Sequence, residues 1–303
     1  MTDAMMGKTL ATLSALTWAV AVLFFKQSGE TIRPVALNFY KSTVAALCFV
    51  PVMVFAGVPI LPHGAEWVDF WMLAASGVIG ITIADSLFFR SLNLLGAGLT
   101  AIVDCLYSPL LILLSYIFLN ETLSVPKIGG AVLVGMAILV AALKRREHQV
   151  RRKNIIWGMI VGSFSMFMIA AGVVLMQPTL IRLSENAFDT LIWVIELRLV
   201  AAAIGLAIQI ALHPERKKLY KSTVSRNTWR LALPATFLGN ILAMLFWVAG
   251  FQYTDVSTAA VLNQTNTIFL VILATLFLKE PFTMRKMIAI TLGFAGAVLV
   301  SIG

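Results

Sequence analysis

The chain has 303 residues, of which 60% are hydrophobic and only 12% are charged, and its mean hydropathy is +0.92. A soluble domain is about 45–50% apolar and about 25% charged, so this composition excludes water as the main solvent. The formal net charge of +9 does not indicate a nucleic-acid partner, because the basic residues lie in short loops between apolar runs instead of forming one solvated face.

Neither the cysteines nor the histidines form a recognisable metal or redox motif. Cys48 and Cys105 lie in apolar runs without CxxC spacing, and His63, His148 and His213 lie in separate loops. We therefore expect no metal, no cofactor and no disulfide framework.

Ten apolar runs are long enough for membrane-spanning helices, which need about 17–25 residues. The first run is too long for a signal-peptide core of about 7–15 residues, and we expect it to be retained. Backbone groups must be satisfied inside hydrocarbon and no strand-like alternation is present, so the sequence predicts an all-α integral membrane protein with ten transmembrane helices. The predicted helices are 8–27, 35–56, 68–90, 97–119, 126–143, 155–176, 188–212, 230–250, 257–278 and 284–302.

The two halves of the chain resemble each other. Phe118-Leu119-Asn120-Glu121 recurs as Phe277-Leu278-Lys279-Glu280, 159 residues later, and Lys127 matches Lys286 at the same separation. Weaker matches, at slightly different separations, are Tyr40-Lys41 with Leu197-Arg198, Ser14 with Ser163, and Gln27 with Gln177.

Five helices in each half is an odd number, so the second half must enter the membrane from the opposite side. The sequence therefore predicts two inverted five-helix repeats, residues 1–143 and 155–303, joined by a basic loop at 144–154. Many secondary transporters have this plan, with a substrate site near the midplane between the repeats. A duplication that only stabilises a membrane scaffold is the alternative.

The lysines and arginines are biased to one side of the predicted membrane. The loops after predicted helices one, three, five, seven and nine hold 18 of the 23, whereas the opposite side holds Lys8, Lys127 and Arg182. Because loops rich in Lys and Arg stay in the cytoplasm, both termini are predicted on the non-cytoplasmic side of the cell membrane.

With these features the chain resembles the ten-helix drug/metabolite transporters that contain two EamA domains. The resemblance rests on the paired segments that end the fourth and ninth helices, on Lys41 and Arg198, and on the Trp18 region of the first helix. The family often has Trp-Gly where this chain has Trp18-Ala19. The resemblance implies a carrier of small organic solutes, often an exporter, that works by alternating access. It does not imply one substrate.

Five ionisable residues lie within the predicted helices, namely Lys41, Asp85, Asp104, Glu196 and Arg198. Each costs about 2.5–3.5 kcal/mol near the bilayer centre, so each is a candidate for the substrate site. Lys41 and Arg198 are candidate counter-charges for the carboxylates, with structural ion pairing as the alternative. Glu196 and Arg198 are two residues apart on one helix and face different sides. Asp85 ranks last, because solvent at the cytoplasmic end of its helix can reach it.

Asp104 is the strongest carboxylate candidate. Thr100, Ser108, Leu111 and Ser115 flank it at helical spacing, which predicts a mostly polar stripe that faces a wet cavity. The alternative is hydrogen bonding between helices.

The repeat counterpart of Asp104 is Asn263, which opens the polar run 263–267. Five consecutive polar residues cover every side of a helix, so this helix must pack within protein or line water. Trp18 and Tyr107 would add walls with apolar rings and polar tips. The predicted substrate-binding residues are Trp18, Lys41, Asp104, Tyr107, Glu196, Arg198, Asn263 and Thr267.

The function predicted from these features is secondary-active export of a small polar or amphipathic metabolite by alternating access. No GxxxxGK[ST] motif is present, so a gradient or exchange must supply the energy. A zwitterion such as an amino acid fits the mixed charges. Proton coupling through Asp104 or Glu196, and the choice between a monomer and a homodimer, are left open. The alternatives are a flippase for a lipid-linked substrate and an intramembrane enzyme that uses Asp85 and Asp104.

Overall fold

A computed structural model of the chain describes residues 3–120, 122, 124–142, 152–183, 187–223, 226–279 and 283–302. Every regular element within these ranges is a helix, which confirms the all-α prediction for this part of the chain. Glu121 and Glu280 of the paired segments, and most of the predicted basic loop, lie outside the described residues.

The helices occur in the following order. They are α1 (Asp3–Ser28), α2 (Pro34–Ala56), α3 (Trp67–Gly77), α4 (Ala84–Leu95), α5 (Ala97–Asp104), α6 (Tyr107–Phe118), α7 (Val125–Ala142), α8 (Arg152–Arg182), α9 (Ala187–Ala211), α10 (Arg216–Thr223), α11 (Arg226–Thr236), α12 (Met244–Tyr253), α13 (Val256–Asn263), α14 (Asn266–Phe277) and α15 (Met284–Ile302). A π-helical turn, Val78–Ile83, joins α3 to α4, and a second, Phe237–Ala243, joins α11 to α12.

Seven helical segments in the described part of the chain are long and apolar enough to cross a membrane. They are Met5–Ser28, Pro34–Ala56, Trp67–Leu95, Ala97–Phe118, Asn154–Arg182, Ala187–Ala211 and Trp229–Tyr253. The other three predicted spans correspond to α7, to α13 with α14, and to α15.

Several predicted boundaries were wrong by a few residues. The third predicted helix ends at 90, but α4 continues to Leu95, so Arg90 lies within the helix and its guanidinium stacks 5.8 Å from the Trp157 ring centroid. The sixth predicted helix ends at 176, whereas α8 continues to Arg182. Hydropathy underestimates such ends, because a charged side chain in the last turns can reach water or a neighbouring ring.

Irregular backbone recurs in the two halves with one separation. The two π-helical turns begin at Val78 and Phe237, which are 159 residues apart. Asn120 and Lys279, also 159 residues apart, have φ angles of 54° and 53°, respectively. Positive φ is uncommon outside glycine, so its recurrence at one separation marks the same turn built twice.

The fourth segment of each half is a broken helix. A turn at Cys105 and Leu106 separates α5 from α6, and a turn at Gln264 and Thr265 separates α13 from α14. In the first turn the N–H of Cys105 donates to Ile102 and the N–H of Leu106 donates to Val103, so the usual bonds to the residue four positions back are lost. Both breaks lie within predicted membrane-spanning segments, where the freed carbonyls need other donors from the protein.

The first helix of each half packs into the other half. Helix α1 packs on α11, α12, α13 and α14, and α8 packs on α3, α4, α5 and α6. The equivalent helices α2 and α9 contact each other, as do α7 and α15. This exchange of contacts interlocks the halves around a shared centre.

A serine in each first helix stabilises the π-helical turn of the other half. The hydroxyl of Ser14 donates to the carbonyl of Ala243 at 3.0 Å, and the hydroxyl of Ser165 donates to that of Ala84 at 2.7 Å. The structural counterpart of Ser14 is therefore Ser165, and the sequence match to Ser163 was wrong in register by two residues. Sequence similarity could not decide this, because only the bonded partner distinguishes the two serines.

Two glycines allow α8 to cross the first π-helical turn closely. A Cβ atom on Gly172 would lie 2.9 Å from the Cα of Gly80 and 3.2 Å from the carbonyl oxygen of Ser76. The Ser76 hydroxyl donates to the Gly172 carbonyl at 2.5 Å across the same crossing. Small residues permit this approach, which larger side chains would prevent.

We expect Gly172→Ala to destabilise the protein by about 1–3 kcal/mol, because the added methyl group has only backbone to displace. The matched control is Gly293→Ala, where the new Cβ would meet its nearest neighbour, the Cys105 sulfur, at an ordinary 3.5 Å. Thermal unfolding of the purified variants in detergent should show a lower midpoint for Gly172→Ala only. Equal midpoints would contradict the importance of this crossing.

Candidate functional site

A central cavity lies between the halves. Both halves supply its walls. The first half contributes residues from α1, α2, the first π-helical turn, α4, α5 and α6, and the second half contributes residues from α8, α9, the second π-helical turn, α12, α13 and α14. The walls comprise Ser14, Ala15, Trp18, Lys41, Gly80, Ile81, Asp85, Phe88, Asp104, Tyr107, Ile169, Arg198, Gly239, Asn240, Ala243, Met244, Trp247, Asn263, Gln264 and Asn266.

Lys41 and Asp85 form a buried ion pair at the cavity wall. The Lys41 Nζ lies 2.6 Å from Asp85 Oδ2, and their side chains are 1% and 13% exposed. The ammonium group also lies 5.7 Å from the centroid of the Phe89 ring. The pairing of Lys41 with one of the membrane carboxylates agrees with the sequence analysis, but the ranking of Asp85 as a solvated residue was wrong.

Arg198 brings a second cation to the cavity without an ion-pair partner among the described residues. Its Nη1 donates to the sulfur of Met176 at 2.9 Å, and its guanidinium carbon lies 5.4 Å from the centroid of the Trp247 ring. Its Nε has no hydrogen-bond partner. Sulfur and ring contacts hold the side chain in place, and neither contact carries the opposite charge.

Asp104 is the last residue of α5, and it lies at the break of that helix. Its Oδ2 accepts a hydrogen bond of 2.8 Å from the amide of Asn266, and no ion pair to it is found in the described ranges. The carbonyl of Asp104 accepts from the amide of Gln264 at 3.2 Å, and that of Ala101 accepts from the hydroxyl of Thr267 at 3.2 Å. The polar run of the second half thus satisfies carbonyls that the first half's break leaves free.

Several buried polar atoms at the cavity wall lack a partner within the protein. Both side-chain polar atoms of Asn240 are unpaired, as are Nδ2 of Asn263 and Oε1 of Gln264. An unsatisfied buried polar atom costs about 1–3 kcal/mol, so a bound solute or water that pairs with these atoms recovers that free energy. The cavity is therefore suited to a ligand with both donors and acceptors.

Aromatic rings form part of the cavity wall. The Trp18 ring centroid lies 5.9 Å from that of Phe88, and the Trp247 centroid lies 5.0 Å from that of Phe251. Trp18 and Trp247 come from different halves and both line the cavity. These rings offer a surface for an apolar part of a ligand beside the charged groups.

The cavity wall includes six of the eight predicted site residues, namely Trp18, Lys41, Asp104, Tyr107, Arg198 and Asn263. Among the described residues, the wall does not include Glu196 or Thr267. Thr267 is 3% exposed and bonds across the two helix breaks, whereas Glu196 is 8% exposed with an unpaired Oε2. Substrate binding by the eight residues stays a prediction.

The predicted polar stripe along Asp104 does not line the cavity as a unit. Thr100 and Ser108 are 2% and 1% exposed, and neither belongs to the described cavity wall. The stripe was derived for a continuous helix, but the turn at Cys105 and Leu106 ends α5 directly after Asp104. The polar run 263–267 was predicted to lie on a continuous helix as well. It contains the second break instead, at Gln264 and Thr265.

Sequence analysis missed several wall residues, above all Asn240, Gln264 and Asn266. Asn240 was detectable as an amide inside an otherwise apolar run, although its position within a π-helical turn was not. π-Helical turns are rare and occur frequently at functional sites. The two other residues belong to the polar run whose individual roles depended on the position of the break.

A family model described as the EamA-like transporter family matches residues 5–143 and 156–302, which is nearly the entire chain. The chain belongs to this family. The drug/metabolite transporter resemblance is thereby confirmed, and the chain is a multi-pass membrane protein of a transporter family with two EamA repeats.

Two further proteins are similar to this chain. The chain is 34% identical over 93 residues to an uncharacterised transporter in the sor 3' region of Acidianus ambivalens. That match covers 31% of this chain and 34% of the relative, so it spans about a third of each protein. A solved structure titled only as the crystal structure of a protein superimposes with a TM-score of 0.69, at 17% identity, over 98% of this chain and 96% of that one. This second likeness shows a shared fold.

We expect Lys41→Met to destabilise the protein by about 3–5 kcal/mol, because it leaves the carboxylate of Asp85 buried without its counter-charge. The double variant Lys41→Met with Asp85→Leu should recover most of this loss, since it removes both charges. Thermal unfolding in detergent, followed by size-exclusion chromatography, measures the effect. A double variant as unstable as the single variant would show that the pair is not the source of the stability.

Proposed function

We propose that this EamA-family protein is a secondary-active exporter of a small zwitterionic, amphipathic metabolite. The observation that carries the proposal is the presence of two opposite charges in one cavity, Arg198 and Asp104, neither of which has an ion-pair partner among the described residues. Lys41 and Asp85 compensate each other and need no ligand.

A zwitterion would neutralise both unpaired charges at once. Its carboxylate would pair with the guanidinium of Arg198, which has donors arranged to match a carboxylate. Its ammonium would pair with Asp104, whose Oδ2 already accepts from Asn266. An apolar side chain would then lie on the aromatic surface that Trp18 and Phe88 provide.

The unpaired side-chain amides of the cavity wall support binding of a ligand that has hydrogen-bonding groups, in preference to a simple inorganic ion. Asn240 offers one donor and one acceptor, and Asn263 offers a donor. Discrimination that rests on such groups is strong, because a ligand that fails to pair with them leaves them buried and unsatisfied. Binding of the metabolite would thus select by chemistry as well as by size.

Alternating access is the mechanism that we propose. The first helix of each half packs against the other half. A rocking movement of either half would therefore move wall residues that belong to both halves. Inverted repeats support such a movement because the two halves can exchange conformations around a fixed midplane site. Export is the direction that the family resemblance implies, and exchange of a proton at Asp104 is one way to drive it.

The proposal includes the predicted topology. Ten helices cross the cell membrane, residues 1–143 and 155–303 form the inverted repeats, 144–154 connect them, and both termini lie outside the cytoplasm. The recurrence of π-helical turns and breaks at one separation supports the repeats. The charge bias supports the orientation.

The geometry favours a transporter over an aspartyl enzyme. Asp85 pairs with Lys41 and Asp104 accepts from Asn266, so the two aspartates have separate partners instead of sharing a proton. Paired carboxylates of aspartic proteases act as a coupled dyad.

Binding to the purified protein tests the substrate class. An α-amino acid with an apolar side chain should bind, whereas the amine without the carboxylate and the acid without the amine should bind at least about tenfold more weakly, since each loses one charge pair. Isothermal titration calorimetry of a panel of such triplets measures this. Equal affinity for all three members of every triplet would overturn the zwitterion proposal.

Two variants separate the roles of the charges. Arg198→Gln should remove the preference for a carboxylate but keep the preference for an ammonium, and Asp104→Asn should do the reverse. Glu196→Gln is the matched control, because it neutralises a carboxylate on the same helix as Arg198 but outside the cavity wall. If Glu196→Gln weakens binding as much as Asp104→Asn, the assignment of the ammonium site is wrong.

Transport is tested in proteoliposomes loaded with the amino acid that binds best. Efflux should accelerate on addition of unlabelled substrate outside, since exchange through an alternating carrier requires only binding on both sides. An imposed pH gradient should change the rate if a proton is coupled. Efflux that is linear in concentration and insensitive to exchange would contradict a carrier.

A further inference from the structure

Two ion pairs join the halves near the ends of their first helices. Arg33, which precedes α2, pairs with Glu215, which precedes α10. Arg182, the last residue of α8, pairs with Asp69 and lies 3.6 Å from Glu66. Arg33 and Glu66 belong to the first half and Arg182 and Glu215 to the second, so each pair crosses from one half to the other.

The two ion pairs occupy equivalent places in the repeat. In each half an arginine lies at or just after the end of the first helix, and a glutamate lies in the segment after the second helix. The arginine of each half contacts the glutamate of the other. Because α2 crosses the bundle between them, Arg33 and Glu66 lie at opposite ends of the bundle. The pairs therefore close opposite ends.

We propose that these pairs are two latches, one for each end of the transport path, and that opening the cavity to one side requires release of the latch on that side. The inference rests on the alternating access proposed above. It assigns to five residues outside the cavity the control of which side the cavity faces. We call Arg33 with Glu215 the first latch, and Arg182 with Glu66 and Asp69 the second latch.

The second latch is built from several bonds. Arg182 donates from Nη1 to the carbonyl of Gly64 at 2.7 Å in addition to its ion pairs. Asp69 also accepts from the backbone N–H of Glu66 at 2.7 Å and from the hydroxyl of Thr179 at 3.0 Å. Asp69 is 4% exposed, so its carboxylate is held within the protein, and the bond to Gly64 holds the Arg182 guanidinium.

The first latch is simpler and more exposed. The side chains of Arg33 and Glu215 are 52% and 37% exposed, and Glu215 also pairs with Lys218 at 3.0 Å within its own half. Exposed ion pairs are weak and screened by salt. The first latch should therefore release more readily than the second, which favours access from the end that carries Arg33.

The first latch stays charged at every pH at which a cell lives. Its hydrogen bond to Arg33, followed by that to Lys218, lowers the pKa of Glu215 to about 2. A carboxylate with a lowered pKa keeps its pairing above that value and loses it only as the pH falls through it. Any pH dependence of transport near neutrality must then arise elsewhere.

Thiol labelling of a cavity reporter tests the latches without a substrate. Cys48→Ala and Cys105→Ala remove the native thiols, and Ala15→Cys places one thiol at the cavity wall. A membrane-impermeant maleimide is added to right-side-out and to inside-out vesicles. Arg33→Gln should raise the labelling rate about two- to fivefold from the end that carries Arg33 and lower it from the other end. Arg182→Gln should produce the opposite pair of changes.

Matched variants separate the latch from a general loss of structure. Lys218→Gln removes the other partner of Glu215 but no contact between the halves, so it should leave both labelling rates unchanged. The charge exchange Arg33→Glu with Glu215→Arg should restore the parent rates. Size-exclusion chromatography checks that each variant is folded, and Glu215→Gln, which removes the same ion pair from the other half, replaces Arg33→Gln if the latter aggregates.

The outcomes distinguish this inference from the proposed function. Equal changes from both ends, or none, in the two latch variants would overturn the latches. Labelling of Ala15→Cys from only one end in every variant would overturn alternating access itself. Failure of zwitterions to bind would overturn the substrate class and leave the labelling result standing.

Discussion

The structure depends on one constraint, namely that backbone carbonyls freed inside an apolar environment must find donors within the protein. Two helices break near the centre of the bundle, and two others widen into π-helical turns. Side chains from the opposite half supply many of the missing donors, including Gln264 and Thr267 at the first break and Ser14 and Ser165 at the two π-helical turns. The irregular backbone that forms the cavity is thus stable only while the halves are assembled.

The same arrangement determines the charges of the cavity. Lys41 and Arg198 come from equivalent helices, yet only Lys41 has a carboxylate partner, because Asp85 follows the first π-helical turn and the second turn is followed by the apolar Met244. The halves are alike in backbone and unlike in charge. The repeat supplies a symmetrical frame, and a few substitutions within it leave one cation and one anion of the cavity without an ion-pair partner among the described residues.

Much of the fold followed from the sequence, because long apolar runs and the bilayer thickness leave few alternatives to helices. The repeats were visible in the segments around Asn120 and Lys279, where a turn with an unusual backbone had been kept twice. The cavity was partly predictable, since an ionisable residue in an apolar run is costly and rarely accidental. Lys41, Asp104 and Arg198 were found in this way.

What the sequence could not provide was the place where helices stop being regular. The stripe along Asp104 was wrong because it assumed a continuous helix across Cys105 and Leu106. The ion pair that buries Asp85 was missed because its partner, Lys41, lies 44 residues earlier on another helix. Local periodicity contains no information about a partner on another helix. Breaks and π-helical turns depend on tertiary donors, so they become evident only with the fold.

The second π-helical turn has a consequence for comparing relatives of this protein. An α-helix advances about 100° per residue, so one residue more or less within Phe237–Ala243 would rotate everything that follows relative to everything before. Trp247 would leave the cavity while its own sequence neighbourhood stayed the same. A one-residue gap at this turn in an alignment therefore signals a different binding surface, even where all the flanking residues are identical.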